Sequence, residues 1–509
     1  MKRILVLLLA LVMLIGIFAA CGPKQSGNNG GNEEKPKEHD TEADQYLPVE
    51  SYAGKTYTVL YRQGSSYEEE WISDESRNGD VINDGIASRN QAVIDRYGVE
   101  LDYESGKTQN NWDVFRIKVV NNTEDDTFQL IAGYTYGLAF TSTQGYCLNW
   151  LNEEQVPVVH LDEDWWDGDF TSEARFNGCS YIATGPLSLS DMYSSACIYF
   201  NKTLFNTYMA NKAMAEGYDT PTAALFDLVK NGGWTLDKLI EFARDCTDKV
   251  EGADTDEDDV YGFSSNPNTA VDAFIYASDL VMTEHKPKDG KPTVVLKKVD
   301  NSNPILALCS KLQNFFLTSG TVKVDNDGGP EFVKVLCAGR SVFSTGTLAA
   351  AKDIQVYAPE LLYGVIPYPK YDANQGNYYT YKLDYKTGFC IPRTVLTHGD
   401  PLFVGTITDA LAYYSNKFVK PALYEKVLTH KNVQDKDSSE FVTMIIYGGL
   451  YEFANIYAGA WGNAKGPAHL LREVVGTGAD FYSEYNTRLK TYQSSLDALL
   501  KGFKTQDAG

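Results

Sequence analysis

Beyond its first fifty residues the chain alternates between two hydrophobic periods, and that alternation limits its fold more than any other feature. In KTYTVLYR, Tyr57, Val59 and Tyr61 alternate with Thr58 and Leu60, the period-two pattern of a mostly buried strand. Residues 82–97 place Ile82, Ile86, Val93 and Tyr97 on one helical face, and Gly98 supplies a stop. VELDYES alternates through Val99, Leu101 and Tyr103, NWDVFRIKVVNNT has a helical pattern, and FQLIAGY (128–134) is an apolar strand. Strand, helix, strand, helix, strand predicts an α/β domain with a mainly parallel sheet.

A second passage of the same kind begins at CIYFNKTLF (197–205), a strand leading into a helix. In GGWTLDKLIEFARDC, Thr235 can cap a helix, Trp234 and Leu239 can staple its start, and Leu236, Leu239, Ile240 and Ala243 form a buried stripe. Residues 303–317 predict another helix; LYGVIPYP and TGFCIP predict strands. Asp400 and Pro401 open a helix whose inner face is Val404, Ile407, Leu411 and Tyr414. A long amphipathic helix follows at the end, with Phe481, Tyr485, Leu489, Tyr492, Leu496 and Leu499 inward and Gly502 as its expected stop. No internal repeat is present.

The N-terminal segment is of another kind. MKRILVLLLALVMLIGIFAAC has a basic start, an apolar run too short to span a bilayer comfortably, and a small-residue end, so residues 1–20 read as a signal peptide. Cys21 directly after the small residues resembles the lipobox of bacterial lipoproteins, in which that cysteine is lipidated and becomes the first mature residue. Residues 21–48 are rich in Gly, Asn, Glu and Lys and bury too little to offset chain entropy, so they predict a flexible tether. About 460 residues remain, enough for two or three domains, with no second long apolar run.

The net charge of −23, from 68 acidic and 45 basic residues, argues against nucleic acid and anionic lipid as partners. Besides Cys21 there are seven widely spaced cysteines in no metal-binding pattern, which read as buried free thiols. DTDEDD (254–259) begins like a calcium loop but lacks Gly at its sixth position and Glu at its twelfth, so it reads as a solvated acidic turn. No metal or cofactor is expected. No GxSxG, HExxH or phosphate-loop motif occurs, and the six histidines show no mutual spacing. A secreted glycoside hydrolase, needing two carboxylates across a cleft, is the rival to a binding protein. The 34 tyrosines and seven tryptophans favour a face that holds sugars, because a flat ring covers the C–H face of a pyranose.

The order of the segments GDVINDGIASRNQAVIDRYGVEL, DEDWWDGDFTSEARFNGCSYIATGPLSLSD, IYFNKTLFN, GGWTLDKLIEFARD, DDVYGF, FVKVLCAGRSVFSTGTL and LYGVIPYPKYD resembles the sugar-type extracellular solute-binding proteins of bacterial ABC importers. The second half is similar in layout to maltose-binding protein. The likeness covers nearly the whole chain after the tether and rests on the order of the pieces. It implies a type II periplasmic-binding-protein-like fold, with two α/β lobes, a ligand cleft between them and hinge strands. Lobe one would be residues 49–193 plus 389–455, and lobe two 194–388 plus 456–509, with crossings near 194–198, 387–392 and Ile456. It further implies a non-enzymatic, lipid-anchored, extracellular monomer of a Gram-positive cell that captures a carbohydrate, an oligosaccharide by expectation, for permease subunits. A peptide or other polar solute remains the alternative ligand.

Ligands of open α/β sheets sit beyond the carboxyl ends of the strands. That geometry selects Tyr134 and Tyr136 after FQLIAG, Tyr67 and Trp71 after the first strand, and Asp191 and Tyr193 between the lobes. It also selects Thr345 and Thr347 after SVF, Asn266 and Asn268 after YGF, and Tyr457 and Trp461 near the last crossing. Maltose-binding protein carries tryptophans where this chain has Thr345, Gly346, Thr347 and Leu348, which argues against a maltodextrin ligand. Trp165 and Trp166 precede an expected surface hairpin and read as loop anchors.

Overall fold

Among the described residues, thirteen strands carry the architecture. In chain order they are β1 (Thr56–Tyr61), β2 (Glu100–Ser105), β3 (Leu130–Tyr134), β4 (Ala196–Asn201), β5 (Tyr261–Ser265), β6 (Thr283–Lys288) and β7 (Lys291–Leu296). There follow β8 (Val322–Val324), β9 (Ser341–Thr347), β10 (Tyr363–Ile366), β11 (Thr380–Tyr381), β12 (Thr387–Cys390) and β13 (Gly449–Leu450). The computed structural model describes residues 40–106, 127–251, 256–266, 268–288, 291–324, 333–383, 386–428, 436–462 and 465–506. Cys21, the signal segment, most of the tether, the helix expected in NWDVFRIKVVNNT and residues 254–255 of the acidic turn lie outside them.

The first sheet has the order β12-β3-β1-β2. Its first three strands in sequence are parallel, Val59 facing Leu130 and Thr56 facing Glu100, as the alternating pattern requires. β12, from more than 250 residues later, closes the edge antiparallel to β3, Thr387 facing Tyr134. The second sheet has the order β10-β4-β9-β5-β8. β5 runs parallel to β8 and β9, while β4 is antiparallel to β9 and β10. β6 and β7 form a hairpin, and β11 pairs with β13.

Local chemistry explains the helices. Asp80 accepts hydrogen bonds from the N–H groups of Ile82 and Asn83, and Gly98 at φ 68° ends the helix Val81–Tyr97 in the left-handed conformation. Its inward Ile82, Ile86, Val93 and Tyr97 are buried, each such side chain stabilising the fold by roughly 1.5–3 kcal/mol. Thr235 caps Leu236–Asp245 through the N–H of Lys238. Asp400 caps Pro401–Tyr414 through Phe403, and that helix is buried all round from Phe403 to Tyr414 rather than along one stripe. The last helix, Phe481–Gln506, does not stop at Gly502. A side chain at Gly502 would lie 3.0 Å from the Thr143 carbonyl, so this glycine permits close approach and ends nothing. Near the start of the helix Tyr485 donates to the Lys297 carbonyl at 2.8 Å, next to β7. Near its end, the Phe503 ring sits 5.5 Å from Phe176 and 5.6 Å from Tyr181. It therefore packs on segments from both portions of the chain, not on the second alone.

The WW segment is anchored as its position suggests. The indole N–H groups of Trp165 and Trp166 donate to Oδ1 of the buried Asp409 at 2.9 and 2.7 Å. His160 Nδ1 lies 2.7 Å from Oδ2, and that carboxylate, through their hydrogen bond, raises the imidazole pKa. Val158, a β-branched residue at φ 57°, turns the preceding loop in a conformation such residues rarely adopt. The seven described cysteines are free, six of them buried and Cys337 half-buried. In the acidic turn, Asp256 pairs with Lys323 and lies 3.5 Å from Arg340, which with Tyr261 lowers its pKa to about 2, the Lys323 hydrogen bond being the largest cause.

Candidate functional site

The registers locate the place where the two sheets meet. Residues 194–195 and 382–383 run side by side: Ser195 bridges Lys382, and the Leu383 N–H donates to the Ser194 carbonyl at 3.0 Å. From this double crossing one chain enters β4 at Ala196, which faces Thr347 at the carboxyl end of β9. The other enters β12 at Thr387, which faces Tyr134 at the carboxyl end of β3. Both sheets thus turn their carboxyl ends toward the same pair of connecting strands, the place where open α/β sheets hold ligands.

At the first sheet this end is aromatic and cationic. Arg62, directly after β1, is 1% exposed. Its guanidinium carbon lies 3.5 Å from the ring centre of Tyr67 and 5.6 Å from that of Tyr134. Such contacts are worth about 2 kcal/mol when desolvated. Tyr67 and Tyr134 are both half-buried. Tyr136 lies 5.7 Å from Tyr134, and its hydroxyl is 3.2 Å from Nε2 of the buried His469, whose pKa burial pushes well down. Behind the rings, Arg62 Nη2 donates to Thr387 Oγ1 at 3.3 Å, and that hydroxyl donates to Glu70 Oε2 at 3.1 Å. Glu70 Oε1 also accepts from Ser188 Oγ at 3.0 Å and from the Ser190 N–H at 2.8 Å. One buried carboxylate thereby joins the loop after β1 to the segments that precede the first crossing and open β12.

Asp191 and Tyr193 lie at the first crossing. Asp191 is buried, with its Oδ2 3.3 Å from Lys382 Nζ and its Oδ1 3.8 Å from Lys386 Nζ. Beside it, Asp167 accepts a short hydrogen bond from Tyr451. Burial, followed by the charge of Asp191, raises the pKa of Asp167. Asp167, Asp191, Lys382 and Tyr451 line an opening of about 310 Å³. Tyr193 is buried under Lys352, whose Nζ is 4.3 Å from its ring centre.

At the second sheet the polar set is smaller. Thr345 and Thr347 are buried at the end of β9, Thr345 donating to Ser265 at 3.4 Å. Asn266 is half-buried, and its Oδ1 accepts from the N–H of the exposed Asn268 at 2.7 Å.

Three of the sequence-selected rings stand in the packed interior instead. Trp71 is fully buried among Tyr103, Phe389 and Arg89. Tyr457 is fully buried, donates to the Ala174 carbonyl at 2.7 Å and packs on Phe453 and Phe503. Trp461 gives its indole N–H to the Tyr492 carbonyl of the last helix. Trp71 lies ten residues beyond the end of β1, Tyr457 and Trp461 were selected from the last crossing and not from a strand end, and the last helix covers the latter two. Arg62, Glu70, Lys382, Lys386 and His469 belong to the region but were not selected from sequence. Arg62 carried a signal, being the first charged residue after the apolar strand.

No family model and no curated protein matches the sequence. Among solved structures, the chain is similar to UgpB from Mycobacterium tuberculosis in complex with glycerophosphocholine, with 14% identity and a TM-score of 0.53 over 87% of this chain and 99% of that one. It is also similar to a cyclo/maltodextrin-binding protein complexed with maltotetraose, with 14% identity and a TM-score of 0.52 over 90% of this chain and 98% of that one. A third is the galacto-N-biose-/lacto-N-biose I-binding protein of an ABC transporter from Bifidobacterium longum, with 12% identity and a TM-score of 0.52 over 88% of this chain and 98% of that one. These likenesses establish the fold as the α/β, two-lobe, type II periplasmic-binding-protein-like fold expected from the order of segments.

Proposed function

We propose that this protein is the non-enzymatic solute-binding component of an ABC importer, capturing a carbohydrate, an oligosaccharide in our reading, between two lobes and delivering it to permease subunits. The observation that carries this reading is the convergence of both sheets' carboxyl ends on one double crossing, with the rings of Tyr67, Tyr134 and Tyr136 beside it. Rings offer flat apolar faces, while Asp191, Asn266, Asn268, Thr345 and Thr347 offer the amide, hydroxyl and carboxylate groups that paired sugar hydroxyls require. Tyr193 completes the proposed set at the hinge. Support for a sugar also comes from the carbohydrate ligands named for two of the three solved structures described above.

In this reading the lobes are residues 49–193 plus 389–455 and residues 194–388 plus 456–509, with the last helix packing on segments of both. Closure is a hinge motion at the paired connecting strands. Cys21 carries the lipid that holds the monomer at the outer face of the membrane, and residues 21–48 keep it near its permease.

The test is a thermal-shift and tryptophan-fluorescence screen of neutral mono- and oligosaccharides against di- and tripeptides, with product analysis of each incubation. A saturable rise in melting temperature with unchanged sugar supports the reading, since a ligand of the native state alone stabilises it. Shifts with peptides only, or cleavage of the sugar, would refute it. A Cys21→Ser variant that still partitions into detergent would refute the lipid anchor.

A further inference from the structure

We propose a second ligand site, away from the double crossing: a cavity that takes an oxyanion, carboxylate or phosphate, carried on a small apolar body. The cavity is about 620 Å³, a volume within the roughly 300–1,000 Å³ common for small-molecule sites. One wall is a single face of the last helix, where Thr491, Ser495 and Leu499 follow at intervals of four. The facing wall comes from Phe140 and Gln144, and Arg393 completes the lining.

Charge selects the ligand. The chain has 68 acidic residues, yet none of the described residues lining this cavity is acidic, and Arg393 is its one charged group. Arg393 is exposed, and its guanidinium has no ion pair or hydrogen bond among the described residues. Its backbone is nonetheless fixed, donating to the Tyr146 carbonyl at 2.8 Å, next to the bridge between Cys147 and Pro392. The guanidinium fork, the Gln144 amide and the Thr491 and Ser495 hydroxyls all supply donors, while Phe140 and Leu499 supply apolar surface. A planar fork of donors without a neighbouring carboxylate matches a carboxylate or phosphate in two-point contact. Gln144 lies in a one-turn π-helix, Ser142–Tyr146, that contains Gly145 at φ 88°. Such turns are rare and concentrate at functional sites. The site is independent of any sugar at the crossing.

The experiment titrates the full chain with benzoate and phenyl phosphate by ligand-observed saturation-transfer NMR, with benzyl alcohol as the neutral control and inorganic phosphate as the control without an apolar body. The expected result is saturable binding of at least one of the two aromatic anions, weaker binding of both controls, an affinity loss of about tenfold or more in Arg393→Gln, and abolition in Ser495→Trp, which fills the cavity from the partly exposed helix face. Both variants should melt with the wild type, showing that they fold. The proposal is overturned if neither anion saturates below about 10 mM, if benzyl alcohol or inorganic phosphate binds as tightly, or if the anions bind both variants as they bind the wild type.

Discussion

The guanidinium of Arg62 lies 3.5 Å from the ring centre of Tyr67, beneath a ring that is itself only half-buried. The cation therefore holds the tyrosine from behind. Arg62→Met keeps the volume and removes both the ring contact and the hydrogen bond to Thr387. The expected cost is about 1–3 kcal/mol of stability, and about a tenfold loss of affinity for whichever ligand the screen identifies. Tyr67→Ala should lose the affinity with less effect on stability, because the ring is at the edge of the packing. Urea denaturation and ligand titration of the two variants separate these effects; equal stability losses would contradict the placement.

Asp409 accepts from both tryptophan indoles and from His160 while fully buried. Asp409→Ala leaves four donors, the two indoles and both the imidazole and the backbone N–H of His160, without their acceptor, so a loss of about 3 kcal/mol or more is expected. Near-ultraviolet circular dichroism of Trp165 and Trp166 should change with it. A variant as stable as the wild type would show that the loop does not depend on this anchor.

Acidity near the hairpin should shape the stability profile. Burial raises Glu452 to about 7 although the N–H groups of Met282 and Thr283 donate to it, and burial likewise raises Glu173 to about 7. Between the ordinary carboxylate value near 4.5 and 7 the native state then holds more protons than the unfolded state. Stability contributed by these groups is fully present below about 4.5 and is lost as pH rises toward 7, with a slope of at most about 1.4 kcal/mol per pH unit for each. Melting curves from pH 4.5 to 8 should fall less steeply in Glu452→Gln. An unchanged slope would contradict the assignment.

Gly262 in β5 runs against the carboxyl end of Leu236–Asp245, where an added Cβ would stand 1.7 Å from the Ala243 carbonyl oxygen. Gly262→Ala is expected to cost about 3 kcal/mol or more, since backbone meets backbone and neither side can rotate away. Soluble yield and denaturant midpoint measure it; a neutral result would mean that the helix shifts freely.

The strands and capped helices were legible because their signals are local. Tyr57 to Tyr61, Asp80 with Gly98, Thr235 and Asp400 each carry their instruction within a few residues. The candidate site was legible only in part. Tyr134 closes β3 and Tyr136 follows it directly, so the rule about carboxyl ends selects them, and both rings stand at that end of the sheet. Trp71 is separated from β1 by a turn, Tyr457 and Trp461 were chosen from a crossing and not from a strand end, and partners such as Phe389, Phe503 and Tyr492, distant in sequence, decide their burial. Asp191 gave no hint of Lys382 and Lys386 because those partners lie nearly 200 residues away. Gly502 misled for the same reason, its role being set by Thr143 rather than by its own helix.

The closing of the first sheet by β12 imposes an order on synthesis. All strands of the second sheet lie between Ala196 and Ile366, so that sheet can be complete while the first still lacks the strand that begins at Thr387. The earlier-made half must wait with the β3 edge unpaired, exposed to mispairing until the nested half has folded. The vulnerable interval lies between emergence of residue 134 and of residue 390, and a helper that masks that edge would act there.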